Sequence, residues 1–245
     1  MPCSRPSHSE PLVGPPQLAW GYNASMSTRS AEYLEAIDHL PAGAILVVPR
    51  VGWEQYEDLL NDLADRPGVR VSYDGGRLEI MSPLLEHEEY KEFISDLARA
   101  FSEETGAPLE KRGSATWKRR KIQKGVEPDT CFYVANAHQI VGRRKIDLES
   151  DPPPDIAVEI DTTNESLSKF PIYAALGVPE IWRYDGKRVQ MYRLTGDTYV
   201  ETDASSFFRD LSSSMLTESL ELSKTQSQTE ALKAFRQRIR ARKSD

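Results

Sequence analysis

The heptapeptide DIAVEID, residues Asp155–Asp161, constrains the fold of this chain more than any other stretch. Three prolines precede it and a polar run follows it, so the sequence bounds it as a short strand. Because side chains alternate between faces along a strand, one face carries Asp155, Glu159 and Asp161, and the other carries aliphatic residues that can enter a core. A carboxylate at the centre of a buried strand is costly to desolvate without a partner or a metal. Glu159 is therefore the residue that most needs an explanation.

The composition is that of a globular protein with no bulk affinity for polyanions. The chain has 245 residues, of which 39% are hydrophobic and 28% are charged. Its net charge of −7 means that nucleic acid would have to meet a local basic patch. Cys3 and Cys131 do not make a disulfide framework, which favours a cytoplasmic location. The sequence has no apolar run that could span a bilayer and no signal-peptide pattern, so we expect no membrane partner.

Three regions are predicted along the chain. Residues 1–27 are rich in Pro, Ser and Gly, which predicts a disordered leader. Residues 28–202 carry the patterns of one α/β domain. Residues 203–245 are expected to be a Ser-rich linker followed by a basic helix from Lys224 onwards.

Helix and strand patterns alternate through the predicted domain. A DGG turn joins two alternating runs and predicts a hairpin, and the helix that follows is expected to open at Ser82 and Pro83 and to end at Gly106. The other helices are predicted at Thr28–Leu40, Trp53–Ala64 and Leu167–Leu176. Strands are predicted at Ala44–Val48, Val69–Tyr73, Arg77–Met81, Leu109–Trp117, Gly125–Val134, Asp155–Asp161, Pro179–Tyr184, Arg188–Leu194 and Thr198–Glu201.

The helix after the hairpin carries Glu86, His87, Glu88 and Glu89 in its first turns. Acids in that position are favoured by the positive end of the helix dipole, which is a sufficient structural explanation for each of them. His87 lies near the apolar stripe of the helix, and its role is open between packing and chemistry.

The segment KRRKIQK, residues 118–124, is strongly basic and links two predicted strands. It can be a solvated hairpin tip, the usual meaning of a charge run. It can also be an arm that contacts nucleic-acid phosphates. The residues that would make those contacts are Lys118, Arg119, Arg120, Lys121 and Lys124.

Two acids on separate strands form a candidate metal site. Asp129 projects from one predicted strand and Glu159 from another, and Mg²⁺ is commonly held by one or two carboxylates together with water. Such an ion polarises a phosphoryl oxygen and generates hydroxide from bound water. Lys169 begins the next helix and is the available cation for the charge that develops on phosphorus. Taken singly, each acid could instead be a salt-bridge partner or a cap at the end of a strand.

The sequence resembles the Uma-two family of bacterial restriction endonucleases, within the PD-(D/E)XK nuclease superfamily. The resemblance rests on GVEPDTCFYV at 125–134, on the segment at 152–186 that contains VEI and GVPEIW, and on RLEIMSPLLEHE at 77–88. It covers roughly Gly52–Glu201. It implies a restriction-endonuclease-like mixed sheet flanked by helices, with Mg²⁺ or Mn²⁺ bound at one end and DNA as the substrate.

Carried over by position, the resemblance assigns Asp129 as the acid of the PD motif and Glu159 as the acid of the E-x-K half-motif. Asp161 stands where the superfamily has lysine, and Lys169 in the next helix falls where family members often place it. Asp161 is then a partner of Lys169 or a further metal ligand. Ser72 stands where the family often has a Glu, and His87 and Glu88 are its possible substitutes.

Three hypotheses from different classes follow. The first is a Mg²⁺-dependent DNA endonuclease, for which a homodimer would supply one site per strand. The second is a catalytically inactive nucleic-acid-binding or assembly module with the same fold, which Asp161 and the acidic net charge favour. The third is a structural protein in which the acids only pair with basic residues.

Overall fold

Two β-sheets with helices packed on them make up the fold. The structure, a computed structural model, describes residues 28–64, 68–162 and 166–242. The predicted leader, residues 1–27, lies outside the described residues. Within them the fold is mixed α+β, which confirms the predicted fold class. No helix in the described part of the chain is both long and apolar enough to cross a membrane.

The first sheet, sheet A, has five strands in the order β1-β3-β2-β6-β5, all antiparallel to their neighbours. Its strands are β1 (Ile45–Pro49), β2 (Arg70–Asp74), β3 (Arg77–Met81), β5 (Trp117–Arg119) and β6 (Lys124–Val126). The predicted hairpin is present, because Gly75 and Gly76 adopt φ of 51° and 105° in the tight turn between β2 and β3.

The second sheet, sheet B, has six strands in the order β11-β10-β9-β8-β7-β4. Only β8 and β9 run parallel. Its strands are β4 (Glu110–Lys111), β7 (Thr130–Tyr133), β8 (Ile156–Ile160), β9 (Glu180–Tyr184), β10 (Val189–Thr195) and β11 (Thr198–Thr202). The parallel pair is joined through a helix, as a crossover between parallel strands requires.

Seven α-helices and two short 3-10 turns accompany the sheets in the described ranges. The α-helices are α1 (Thr28–Asp38), α2 (Trp53–Asp62), α3 (Leu85–Thr105), α4 (Ala137–Ile140), α5 (Phe170–Leu176), α6 (Ser213–Thr225) and α7 (Gln228–Arg242). The 3-10 turns are Arg120–Ile122 and Ser166–Lys169. The second turn leads directly into α5, and Pro171 is tolerated there because it lies in the first helical turn.

Strand β8 lies inside sheet B and is buried on both faces. Its aliphatic residues Ile156, Val158 and Ile160 enter a large core with α3, α6 and α7. Ala157, on the other face, enters a second core with α5 and β7. The sequence predicted which residues share each face of this strand. Glu159 lies on the same face as Ala157, and its exposed fraction is 1%.

Three predicted elements differ from the structure for local reasons. Helix α3 begins at Leu85 rather than at Ser82 and Pro83, because Ser82 still exchanges backbone hydrogen bonds with Gly43 and Ala44 beside β1. The predicted strands Leu109–Trp117 and Gly125–Val134 are each divided in two. In both cases the first and second parts pair in different sheets, so no continuous strand can form.

The Ser-rich segment after residue 203 is not a linker throughout. Helix α6 occupies Ser213–Thr225, and the Ser212 hydroxyl caps it by accepting a hydrogen bond from the Met215 amide at 3.3 Å. Met215, Leu216 and Leu220 then enter the large core. Of the serines that suggested a linker, Ser205 and Ser206 donate to Glu180 of β9, Ser212 caps α6, and Ser219 is buried within α6. The basic C-terminal helix was predicted and is present as α7.

Candidate active site

The candidate site lies where the chain passes from one sheet to the other. Glu127, Pro128 and Asp129 connect β6 of sheet A to β7 of sheet B. The Glu127 amide donates to the Val71 carbonyl in sheet A at 3.1 Å, and the Asp129 amide donates to the Val158 carbonyl in sheet B at 3.1 Å. Pro128 between them has no amide hydrogen to satisfy. The crossing therefore fixes Asp129 beside β8.

Asp129 and Glu159 are both buried, at 1% exposure each. One Asp129 oxygen, Oδ2, accepts a hydrogen bond from the Ile160 amide at 2.8 Å, which orients the carboxylate along β8. Asp129 directly precedes β7, whose antiparallel register places Thr130 opposite Val158, so its carboxylate lies beside Glu159 of β8. They are close enough that the charge of Asp129 raises the pKa of Glu159.

Both oxygens of Glu159 are held by the helix that follows β8. Lys169 Nζ donates to Oε2 at 2.8 Å, and the Tyr173 hydroxyl donates to Oε1. Lys169 ends the 3-10 turn and Tyr173 follows one helical turn later, so both side chains project from the same side of this segment. Both are buried.

The pKa values of Glu159 and Lys169 both lie above their ordinary values. Burial is the main cause that raises the pKa of Glu159 to about 7. The positive charge of Lys169 lowers this pKa, and the negative charges of Asp129 and Asp161 raise it. Burial disfavours the charged form of Lys169, but Glu159 and Asp129 outweigh it and raise the pKa of Lys169 above its ordinary value. Lys169 is therefore an ammonium ion at neutral pH. Burial, followed by the Glu159 charge, also raises the pKa of Tyr173, which remains a donor.

Asp161 is engaged by a residue of the next strand. Arg183 Nε on β9 donates to Asp161 Oδ2, and Arg183 Nη1 donates to Gln190 on β10 at 2.8 Å. Asp161 also acts on Lys169 through its charge, raising the pKa of Lys169. The residue that stands in place of the motif lysine thus anchors an arginine.

Arg70 joins the buried acids to the surface. Its Nε lies 3.8 Å from Asp129 Oδ1, and its Nη2 donates to Glu88 at 2.9 Å. Arg70 therefore links Glu88 to Asp129, and no contact within the described residues joins Glu88 to Glu159 directly.

His87 is buried on α3, and neither of its ring nitrogens has a hydrogen-bond partner in the described part of the molecule.

The predicted nucleic-acid residues form the hairpin β5–β6 and its 3-10 turn, and intramolecular partners engage all of them. Lys118 and Arg120 pair with Glu57 of α2, and Arg120 also pairs with Glu54. Arg119 donates to the Leu148 carbonyl. Lys121 pairs with Glu149 and Lys124 with Asp74. Contact with nucleic acid through this hairpin stays a prediction.

The donor chemistry of the site fits a hard divalent cation. Asp129 and Glu159 supply carboxylate oxygens, and Mg²⁺ is commonly held by one or two carboxylates, with water and substrate phosphate as its remaining ligands. Burial, and after it the negative charges of Asp129 and Asp161, raise the pKa of Glu159, and a bound cation would favour its ionised form. Among the described residues no group of three or more His, Cys, Asp or Glu side chains is arranged to hold a metal. Any metal here would thus depend on two protein carboxylates.

Two residues whose side chains contact Asp129 or Glu159 were not predicted. Tyr173 could have been found from its spacing, since it follows Lys169 by four residues and shares its side of the helix. Arg70 carries no such signal, because its approach to Asp129 depends on how β2 pairs with β6 across a long sequence separation.

Residues 53–225 match the profile of the Uma2 family, described as "Putative restriction endonuclease". The match covers more than half of the chain, and the chain belongs to this family. It extends beyond Glu201, the limit of the resemblance seen in the sequence, to the end of α6.

Comparison with curated proteins gives no match. Among solved structures, the chain is similar to a crystal structure from Anabaena variabilis ATCC 29413 described as "a putative nuclease belonging to DUF820". The two share 16% sequence identity with a TM-score of 0.44, over 65% of this chain and 97% of that one.

Proposed function

We propose that this protein is a metal-dependent endonuclease that hydrolyses DNA phosphodiester bonds at Asp129, Glu159 and Lys169. The observation that carries the proposal is the direct contact of Lys169 with Glu159 at 2.8 Å, beside Asp129 at the start of the neighbouring strand β7. The chain lacks a lysine at position 161, and Lys169 supplies the cation from the following helix. Membership of the Uma2 family supports the same reaction class.

Each residue has a distinct role in this proposal. Asp129 and Glu159 would hold Mg²⁺ or Mn²⁺, which supplies Lewis-acid activation of phosphate and a hydroxide nucleophile when bound. Lys169 stabilises negative charge on the phosphoryl oxygens and holds Glu159 in place. Tyr173 fixes the second oxygen of Glu159, and Asp161 anchors Arg183 beside the cluster.

The remaining parts of the proposal concern the substrate and the assembly. Cytoplasmic DNA is the proposed partner, and the hairpin that carries Lys118–Lys124 is proposed to reach its backbone by exchanging intramolecular carboxylates for phosphates. A homodimer would bring two sites to the two strands of a duplex.

The proposal is tested by plasmid cleavage with Mg²⁺ or Mn²⁺. We expect Asp129→Asn and Glu159→Gln each to reduce cleavage by roughly a hundredfold or more, because each removes a metal ligand. Asp197→Asn, at an exposed turn outside the site, makes the same kind of change as Asp129→Asn and should cleave like the wild type. Equal cleavage by all four proteins would assign the activity to a contaminant and reject the proposal.

A second candidate function is a nucleic-acid-binding or assembly module without turnover. One observation favours it: both oxygens of Glu159 already accept hydrogen bonds from Lys169 and Tyr173. Calorimetric titration with Mn²⁺ separates the two functions. Salt-dependent DNA binding without any heat of metal binding would select the module, and metal binding lost in Asp129→Asn would select the nuclease.

A further inference from the structure

We propose that Arg70 and Lys91 form a binding seat for a nucleic-acid phosphate, and that Glu88 occupies this seat in the free protein. The inference rests on the proposed function only for the kind of substrate, a nucleic-acid backbone. The seat is defined here as the Arg70 guanidinium, the Lys91 ammonium group and the Glu88 carboxylate between them.

The contacts show one carboxylate shared by two cations. Arg70 Nη2 donates to Glu88 Oε1 at 2.9 Å, and Lys91 Nζ donates to Glu88 Oε2. A phosphodiester also presents two anionic oxygens, and arginine and lysine are the side chains that bind such groups. The positions of the Glu88 oxygens are thus suited to the two non-bridging oxygens of a phosphate.

Burial shows which member of the seat can leave. The side chains of Arg70 and Lys91 are 9% and 13% exposed, whereas that of Glu88 is 40% exposed. The cations are built into the wall of the molecule, and the carboxylate is the member that faces solvent. Glu92 Oε1 also lies 3.3 Å from Lys91 Nζ, but its side chain is 68% exposed and it does not contact Arg70. An anion arriving from solvent can therefore replace Glu88 without rebuilding the wall.

The seat opens onto two adjoining clefts of about 590 and 600 Å³, and Gly68, Arg70 and Ser114 line both. Arg70 Nε is buried and donates no hydrogen bond to any described residue, although it lies 3.8 Å from Asp129 Oδ1. The guanidinium thus pairs with Asp129 by charge but keeps one N–H without a hydrogen-bond acceptor, which a ligand oxygen can supply. A phosphate bound by Arg70 would therefore lie next to the acid proposed to hold the metal.

We expect DNA to bind more tightly when the negative charge of Glu88 is removed. Glu88→Gln removes the competing carboxylate, so duplex DNA should bind about tenfold more tightly. Arg70→Gln and Lys91→Gln should each weaken binding by a similar factor, and Glu88→Gln should give no gain when combined with Arg70→Gln. Binding is measured by fluorescence anisotropy of a labelled duplex in EDTA, across a series of salt concentrations.

Glu89→Gln is the matched control, because it makes the same charge change one residue away on the exposed side of α3. The dependence of binding on salt should steepen by about one phosphate contact in Glu88→Gln and not in Glu89→Gln. A purely structural role of Glu88 would not change this slope. Equal affinities and slopes for the two variants would overturn the seat.

The result is independent of catalysis, since EDTA removes divalent metal from every sample. A gain specific to Glu88→Gln in a protein that never cleaves DNA would retain the seat and reject the nuclease. Cleavage that depends on Asp129, with no difference between Glu88→Gln and Glu89→Gln, would retain the nuclease and reject the seat. If the wild type binds no duplex, binding gained by Glu88→Gln alone supports the seat, and binding by neither variant rejects it.

Discussion

Glu159 is buried among charged side chains of both signs. Asp129 and Asp161 repel it, and Lys169 is the cation that pairs with it directly. In a buried position these charges are poorly screened, so the protonation of this one carboxyl group affects both metal binding and folding. Proton and metal then compete for the same residue near neutral pH.

Stability should fall as pH rises through the titration of Glu159. Its pKa is about 7 in the folded protein and near 4.5 in the unfolded chain, so the folded state binds the extra proton between these values. The free energy of unfolding should therefore decrease by about 1–3 kcal/mol between pH 5 and pH 8 in metal-free protein. Glu159→Gln, which cannot titrate, should lack this component.

Urea denaturation in EDTA at several pH values measures the effect. The wild type and Glu159→Gln should have similar stability at pH 5, and the wild type should be the less stable of the two at pH 8. Parallel pH profiles for the two proteins would show that Glu159 has an ordinary pKa.

Strand β6 and helix α2 approach each other unusually closely at Gly125. A Cβ atom at this position would lie 2.1 Å from the hydroxyl oxygen of Tyr56 and 2.8 Å from its Cζ. Tyr56 is fully buried and stacks on Tyr73 of β2 with ring centroids 4.8 Å apart, so it cannot move aside. The close approach fixes α2 against the sheet that leads into the crossing at Asp129.

Gly125→Ala should destabilise the protein by about 1–3 kcal/mol, because the added methyl group overpacks this contact. Gly52→Ala is the control. At Gly52 φ is −74° and the nearest atom to a new Cβ lies at 3.7 Å, so the change should cost less than about 1 kcal/mol. Chemical denaturation of both variants decides the point, and equal losses would contradict the contact.

At the scale of the molecule, the two C-terminal helices complete the core that contains β8. Phe235 of α7 packs near Phe101 of α3, with ring centroids 6.4 Å apart, and Ile239 enters the same core. Arg236 and Arg240 pair with Glu104 of α3. The hydrogen bond from Arg240 contributes most, with that from Arg236, to lowering the pKa of Glu104 to about 2. The basic residues of α7 thus attach the helix to the fold.

Phe235→Ala should therefore cost about 3–5 kcal/mol of unfolding free energy, since it empties a buried aromatic position. Lys233→Ala, on the exposed side of the same helix, should change stability by less than about 0.5 kcal/mol. Guanidinium denaturation compares the two. A loss below about 1 kcal/mol for Phe235→Ala would mean that α7 docks only weakly.

Local patterns in the sequence predicted the elements that depend on near neighbours. The alternation in DIAVEID predicted β8 and its buried face, and the DGG turn predicted the β2–β3 hairpin. These features are set by residues that lie close together in the chain.

The division into two sheets could not be predicted, because it depends on which distant strands pair. The run Gly125–Val134 reads as one strand, and only the pairing of β6 with β2 and of β7 with β8 shows where it breaks. The same long-range pairing brings Arg70 to Asp129. The position of Lys169 followed from family resemblance, and its contact with Glu159 is a finding of the structure.

The crossing at Glu127, Pro128 and Asp129 is a short link between sheets A and B that is hydrogen-bonded to both. Its length is fixed at one end by the Glu127 amide and at the other by the Asp129 amide. An inserted residue would rotate the Asp129 carboxylate away from β8, while every strand could keep its own pairing. Anyone exchanging sheet A for that of another family member could vary its loops and surface freely, but would have to preserve the register of this one joint.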